Sequence, residues 1–428
     1  MDLLKSIFKG DKVIWIIFLV LCLISIIEVF SAASTLTYKS GDHWEPIRMH
    51  SVMLVIGALI VWLMHNIPYK WFQVFPVFLL PFSIVMLALV MMMERINGAA
   101  RWMTFMGIQF QPSEVAKMAV IIVTAFILSK GQDENGASPK AFKRIMIITG
   151  IICLLIAPEN LSTAALLFGV VFLMMYIGRV ATKKLLILAG GLAGVAIVAV
   201  SFLVLTKNSD LPFLHRFDTW RARIERFSSD EEVPAAKFDI DKDAQIAHAR
   251  IAVATSHVVG KGPGNSVQRD FLSQAFSDFI FAIIVEELGL VGGIIVVFLY
   301  ICLLIRVGRI AKKCDRTFPA FLIIGIALLL VSQAIFNMMV AVGLAPVTGQ
   351  PLPLISKGGT STLINCAYIG MILSVSRYTA KLDEQREHDA QITMQIETGA
   401  PEEVIADSDA QTAAEPTAKI LNSDTEFE

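Results

Sequence analysis

Ten apolar runs dominate the chain, each close to the length that a helix needs to cross the hydrocarbon of a bilayer. They cover about residues 13–34, 50–66, 74–93, 112–129, 145–158, 161–178, 185–206, 279–305, 318–342 and 361–376. A segment in lipid has no water for its backbone polar groups, so runs of this kind are expected to close their hydrogen bonds internally as helices. Composition points the same way: 55% of the 428 residues are apolar, 17% are charged and the mean hydropathy is +0.67. A soluble domain carries about 25% charged residues. The expected fold is an all-α integral membrane protein of about ten transmembrane helices. It would comprise a cytoplasmic N-terminus (1–12), a polytopic domain (13–380) and a tail (381–428). Lys5, Lys9 and Lys12 precede the first run without a small-residue cleavage pattern, which predicts a retained span. Cys22, Cys153, Cys302, Cys314 and Cys366 show no Cys-x-x-Cys spacing and are expected to be buried thiols, with no disulfide and no zinc site.

Loop charge orients the spans. With the N-terminus inside, the inner segments hold Lys5, Lys9, Lys12, Lys70, Lys130, Lys140, Lys143, Arg144, Arg179, Lys183, Lys184, Arg306, Arg309, Lys312, Lys313 and Arg316. The outer short loops hold Lys39, Arg48, Arg95, Arg101 and Lys357. This asymmetry predicts that both termini are cytoplasmic.

One long connection, 207–277, then becomes a large extracytoplasmic loop between the seventh and eighth helices. Within it Phe217, Trp220, Ile224 and Phe227 alternate with Arg216, Arg221, Arg223 and Arg226, a basic amphipathic helix suited either to the membrane interface or to packing on the membrane domain. Asp230, Glu231, Glu232, Asp239, Asp241 and Asp243 read as a solvated acidic stretch. From Leu382 onward 13 acidic residues face two basic ones, Arg386 and Lys419. That tail is expected to be disordered in the cytoplasm, or helical only near its start.

Polar residues concentrate in four places that the topology sends toward the outer face. Phe276-Ser277-Asp278-Phe279-Ile280-Phe281-Ala282 sets a lone carboxylate at a membrane edge, and Asp278 is the candidate catalytic base. Gly98-Ala99-Ala100-Arg101-Trp102 precedes Phe110-Gln111-Pro112-Ser113-Glu114-Val115-Ala116-Lys117. There Pro112 fits a first helical turn, and Glu114 and Lys117 share a helix face, either as a structural pair or as part of a site. In Gly260-Lys261-Gly262-Pro263-Gly264-Asn265-Ser266, glycines would let backbone approach an anion while Lys261 and Arg269 meet its charge; a plain turn would use the same residues. Pro346 to Ser361 interleaves proline and glycine between two spans, which predicts irregular re-entrant backbone facing a substrate.

Taken together, Gly-Ala-x-Arg-Trp, Phe-Gln-Pro-Ser-Glu-x-x-Lys, Gly-x-Gly-x-Ser, Asp-Phe-Ile-Phe-Ala-x-x-x-Glu-Glu-Leu-Gly and Thr-Gly-x-x-Leu-Pro-x-x-Ser-x-Gly-Gly-x-Ser resemble the shape, elongation, division and sporulation family, the FtsW/RodA/SpoVE proteins, over about residues 10–380. The resemblance implies ten transmembrane helices in the bacterial cytoplasmic membrane and a glycosyltransferase that polymerises lipid II outside it, beside a class B penicillin-binding protein and, at the septum, other divisome proteins. Nucleic acid is not an expected partner. The chain departs from the family pattern twice. Ala157-Pro158-Glu159-Asn160 replaces a common Gln-Pro-Asp, and Leu272-Ser273-Gln274-Ala275 replaces Leu-Pro-Glu-Ala. The first departure, the Gly-Lys-Gly-Pro-Gly-Asn-Ser run and the lysine of Ser356-Lys357-Gly358 are more similar to the division members than to the elongation members.

The implied chemistry is attack of an acceptor 4-hydroxyl on the anomeric carbon of a lipid-linked donor, with inversion. Asp278 would take the proton, and the cations Arg101, Lys117, Lys261, Arg269 and Lys357 would offset diphosphate charge. Trp102, Gln111, Glu114, Ser356 and Gly358 complete the expected substrate-binding set. No protein metal site is expected; Mg2+ or Mn2+ enters this expectation only through the diphosphate oxygens. A lipid II flippase, an elongation-type polymerase like the RodA members and a non-catalytic scaffold are the alternative functions.

Overall fold

The computed structural model describes residues 9–32, 44–93, 102–105, 108–133, 136–205, 243–272 and 275–398. Arg101, the amphipathic stretch 216–227, the acidic stretch 230–242 and the tail beyond Thr398 lie outside the described residues.

The chain folds into helices joined by short connections. They are α1 (Lys12–Ala32), α2 (Glu45–Asn66), α3 (Phe75–Val90), α4 (Pro112–Lys130), α5 (Pro139–Ile156), α6 (Leu161–Ile177), α7 (Thr182–Leu205), α8 (Asp243–Ala254), α9 (Ile280–Lys313), α10 (Thr317–Ala341) and α11 (Thr360–Thr398). Two antiparallel hairpins interrupt them: β1 (Met103–Phe105) with β2 (Ile108–Phe110), and β3 (Gln132–Asp133) with β4 (Gly136–Ala137). Each of the ten apolar runs falls on a helix, and α8 is the addition.

Among the described residues five helices are long and apolar enough to span a bilayer: Lys12–Ala32, Ile47–Asn66, Pro112–Lys130, Ile280–Lys313 and Thr317–Ala341. This is a polytopic, all-α membrane protein. Among the described residues the expected count of ten is not reached on length and apolarity; α3 and α6 are apolar but shorter than a full span. The chain divides into two compact units, Met1–Thr379 and Ala380–Glu428. α11 continues through Thr398, so the residues from 381 to 398 form the helical start that the sequence allows for the tail.

Local chemistry explains the helix starts. Pro112 and Pro139 occupy first turns, where a missing N–H costs nothing and the fixed φ suits a helix. Ser138 accepts from Ala141 N, and Asn160 Oδ1 accepts from Thr163 N at 3.1 Å. Asn160 is thus the N-cap of α6.

Burial orders the helices. The apolar windows of α4 and α10 are 83% and 67% buried, against 44% for α1 and 22% for α2, so α4 and α10 are the more enclosed of these spans. Helix ends gather on two levels. Asp11 meets Arg306 at 2.7 Å, Arg377 donates to Asn66 and Thr317 donates to Ser129 O, which puts the Lys12 end of α1 level with the ends of α2, α4, α9 and the start of α10. At the opposite level Ser31 donates to Glu287, and Thr360 donates to Gln109 O.

The long run in α9 is two helices. Gly289 has φ 73° and ψ −172°, a region open to glycine and closed to other residues, and the chain breaks there. Gly289 packs backbone to backbone on the turn at Gly260, itself at φ 77°. A Cβ on Gly289 would lie 2.3 Å from Val258 O. Gly289→Ala is expected to destabilise the protein by about 3 kcal/mol or more, strain and clash combined, measured by thermal unfolding in detergent.

Candidate active site

Asp278 is half-buried, just ahead of the first half of α9, and accepts from Ser277 Oγ at 3.1 Å. Its backbone setting is held from two other elements. Lys357 N donates to Phe276 O at 2.9 Å, Ser356 Oγ to Ser277 O at 2.6 Å, and Asn337 Nδ2 to Asp278 O at 2.9 Å. Three successive carbonyls are therefore fixed, which leaves the aspartate Cα little freedom. Lys357 adds a cation–π contact, its Nζ 5.6 Å from the Phe276 ring centre.

The segment that supplies Ser356 and Lys357 runs from Val342 to Gly359 between α10 and α11, and it is re-entrant. Ser25 Oγ donates to Ile355 O, whereas Ser31, near the end of the same helix, bonds Glu287. Six residues of helix separate these levels by about 9 Å. Tyr300, well inside the second half of α9, reaches Pro353 O. Asp278 thus sits deeper in the bundle than the rim expected from the sequence. The first half of α9, Ile280 to Glu287, is buried on all sides because it rises through protein rather than along lipid.

α10 carries two amides one turn apart, Gln333 and Asn337, that hold this segment. Asn337 Nδ2 also donates to Gln350 O at 2.8 Å, and Gln333 Nε2 donates to Pro351 O at 3.2 Å. Gln350 Nε2 in turn reaches Thr163 Oγ1 at 2.5 Å, just past the α6 cap. Lys117 Nζ donates to Gln333 Oε1 at 3.2 Å and pairs with Glu114 Oε1 at 2.8 Å. Their side chains are 0% and 3% exposed, so the pair is internal to the bundle. Lys117 therefore reaches the Asp278 region through Gln333 and the 342–359 segment. Among the described residues Glu114 Oε2, Asn337 Oδ1, Ser361 Oγ and Asn365 Oδ1 are buried without a hydrogen-bond partner.

The glycine-rich turn does not form an open anion cradle. Its donors converge on the protein's own carboxylates: Gly264 N and Ser266 N on Glu287, at 2.8 and 3.1 Å, and Val267 N, Gln268 N and Ser266 Oγ on Glu286. Lys261 Nζ lies 2.5 Å from Glu286 Oε1. Arg269 donates to Ser31 Oγ and Gly264 O, at 2.9 and 2.7 Å. Lys261 and Arg269 thus lock the turn to α1 and α9 rather than standing beside Asp278. Lys261→Met is expected to leave Glu286 as an underpaired buried charge and to lower stability by about 3 kcal/mol, read by thermal unfolding, with activity lost only in proportion to unfolding.

Of the remaining expected residues, Trp102 is half-buried ahead of β1, and Gln111 is buried at the N-cap of α4, its carbonyl accepting from Glu114 N. Gly358 is half-buried and accepts from Ser361 N at the start of α11. Asp278, Ser356, Lys357 and Gly358 come together; Trp102 and Gln111 belong to the hairpin and α4, which touch the start of α11 through Gln109 and Thr360. Sequence reasoning missed Gln333, Asn337 and Gln350. The signal was present, since a polar pair at i, i+4 inside an apolar run needs internal partners. Among the described residues no group of three or more His, Cys, Asp or Glu is placed to hold a metal ion.

The family model of the FtsW, RodA and SpoVE cell cycle proteins matches residues 11–381. A protein of Geobacter sp. strain M18 named probable peptidoglycan glycosyltransferase FtsW is 31% identical over 375 residues, covering 86% of this chain and 96% of that protein. A Coxiella burnetii protein of the same name is 30% identical, covering 88% of this chain and 99% of its own length. Among solved structures, a chain of a peptidoglycan synthase complex shares the fold at TM-score 0.67 and 23% identity, covering 87% of this chain and 99% of that one. The rod shape determining protein RodA of Thermus thermophilus shares it at TM-score 0.61 and 22% identity, covering 86% and 97%. Matched along nearly its whole membrane domain, the chain belongs to the FtsW/RodA/SpoVE family.

Proposed function

We propose that the protein is a peptidoglycan glycosyltransferase of the bacterial inner membrane that polymerises lipid II into glycan strands, with Asp278 as the general base. The observation that carries the reading is the fixed carboxylate: Asp278 stands between a half-helix and a re-entrant segment, with three flanking carbonyls tied down. The names of the relatives in Geobacter and Coxiella support the same activity. In the reaction, the acceptor 4-hydroxyl attacks C1 of the donor sugar. The new C–O bond forms as the bond from C1 to the diphosphate oxygen breaks, the hydroxyl proton passes to Asp278, and undecaprenyl diphosphate leaves with the bonding pair. Lys357 is the cation best placed for that diphosphate, because it follows Ser356 beside Asp278, with its backbone N–H on Phe276 O and its Nζ 5.6 Å from the Phe276 ring centre. The unpartnered Asn337 Oδ1 and Ser361 Oγ add polar capacity for substrate hydroxyl or amide groups. No step is routed through a metal.

The lysine-rich level of helix ends faces the cytoplasm and the Ser31–Glu287 level faces outward, so the reaction takes place on the outer side. Ten spans, septal wall synthesis and pairing with a class B penicillin-binding transpeptidase complete the proposal; the solved relative from a synthase complex supports such a partner. Purified protein given labelled lipid II is expected to make glycan chains. Leaflet exchange without chains would mean a flippase instead, and neither product, even with the transpeptidase added, would mean a scaffold.

A further inference from the structure

His50 on α2 has no part in the machinery described so far, and it contacts Ser25, which bonds the re-entrant segment from α1. His50 on α2 is 2% exposed and Ser25 on α1 is 0% exposed, and His50 Nε2 is 2.8 Å from Ser25 Oγ. Ser25 Oγ is also 2.6 Å from Ile355 O. A carbonyl can only accept, so the single hydroxyl proton of Ser25 goes to Ile355. The His50 contact must then run the other way: the imidazole donates from Nε2–H and the serine accepts. The direction of both bonds follows from this one constraint.

Ile355 immediately precedes Ser356 and Lys357, the residues that tie down the carbonyls of Ser277 and Phe276. Ser356 is held in turn by its own N–H to Leu352 O and by Leu352 N to its hydroxyl. We propose that His50 is a positioning residue for the reaction, acting through Ser25 to fix the Ile355 carbonyl and so the height at which Ser356 and Lys357 meet Asp278. His50 touches neither substrate nor the Asp278 carboxylate in this account. What it supplies is orientation. Without the imidazole N–H, the Ser25 hydroxyl keeps its proton but loses the contact that aims it, and Ile355 O is held by a rotor. A shift of about 1 Å in such a support can cost up to a hundredfold in rate.

The kinetic part rests on the glycosyltransferase reading, and the structural part does not. His50→Leu and Ser25→Ala are each expected to lower the kcat of lipid II polymerisation about tenfold with KM within about twofold, and the double variant to be no worse than Ser25→Ala alone. His50→Gln, which keeps an N–H donor at similar reach, should recover most of the loss. Hydrogen–deuterium exchange of the peptide spanning 350–359, read without substrate, should be several-fold faster in His50→Leu than in wild type and near wild type in His50→Gln. Unchanged exchange in folded His50→Leu would overturn the proposal whatever the activity. Additive losses in the double variant, or a loss carried by KM, would overturn it too. Faster exchange in His50→Leu with no polymerisation even by wild type would leave the positioning role standing and remove the assigned reaction.

Discussion

Asp278→Asn is expected to lower polymerisation of lipid II by about 100-fold or more while the protein inserts, purifies and unfolds like wild type. The substitution preserves side-chain volume and hydrogen-bonding capacity toward Ser277 Oγ, and none of the three bonds that fix the local backbone uses the carboxylate. What it removes is the capacity to accept a proton. The loss should appear in kcat, since lipid II binding through its diphosphate and lipid depends on other groups. Asp278→Glu moves the carboxylate outward by one methylene on a fixed backbone and should be impaired without being abolished. Wild-type turnover by folded Asp278→Asn would remove the base assignment.

Glu114→Gln and Lys117→Met are each expected to destabilise the protein by about 3–5 kcal/mol, because each leaves one charge unpaired in the bundle centre. The double variant should cost less than the sum, since it leaves no isolated charge. Both side chains are almost fully buried, so solvent screening does not soften the effect. Activity separates two roles. Lys117 also bonds Gln333, which bonds Pro351 O in the re-entrant segment. A double variant with recovered thermal stability should therefore still polymerise several-fold more slowly, because the bond from Lys117 to Gln333 is gone. Full recovery of both stability and rate would make the pair purely structural.

How much of this was legible in the sequence differs by element. Proline and glycine between residues 346 and 359 announce irregular backbone at membrane depth, and Ser356, Lys357 and Gly358 are found beside Asp278. The break in α9 was hidden, because Ile280–Val285 and the stretch after Gly289 are both apolar and read as one run across Glu286 and Glu287. The depth of Asp278 was hidden for the same reason: a half-helix that rises through protein has the composition of one that starts at the rim. The turn at Gly260–Ser266 has the residues of an anion site and does bind anions, but they are Glu286 and Glu287, about twenty residues later in the chain. Local spacing carries no information about which carboxylate will fill such a turn. His50 and Ser25 offered only the weaker signal of polar residues in apolar runs.

The central claim is that the carboxylate of Asp278 makes glycan strands and does not move lipid across the bilayer. Wild type and Asp278→Asn, reconstituted in matched vesicles with labelled lipid II, can be read for both products in one experiment. The account predicts long glycan chains from wild type, chains reduced about 100-fold or more in Asp278→Asn, and the same leaflet exchange in both as in vesicles without protein. Chains made at the wild-type rate by Asp278→Asn would contradict it, as would protein-dependent leaflet exchange that disappears with the carboxylate.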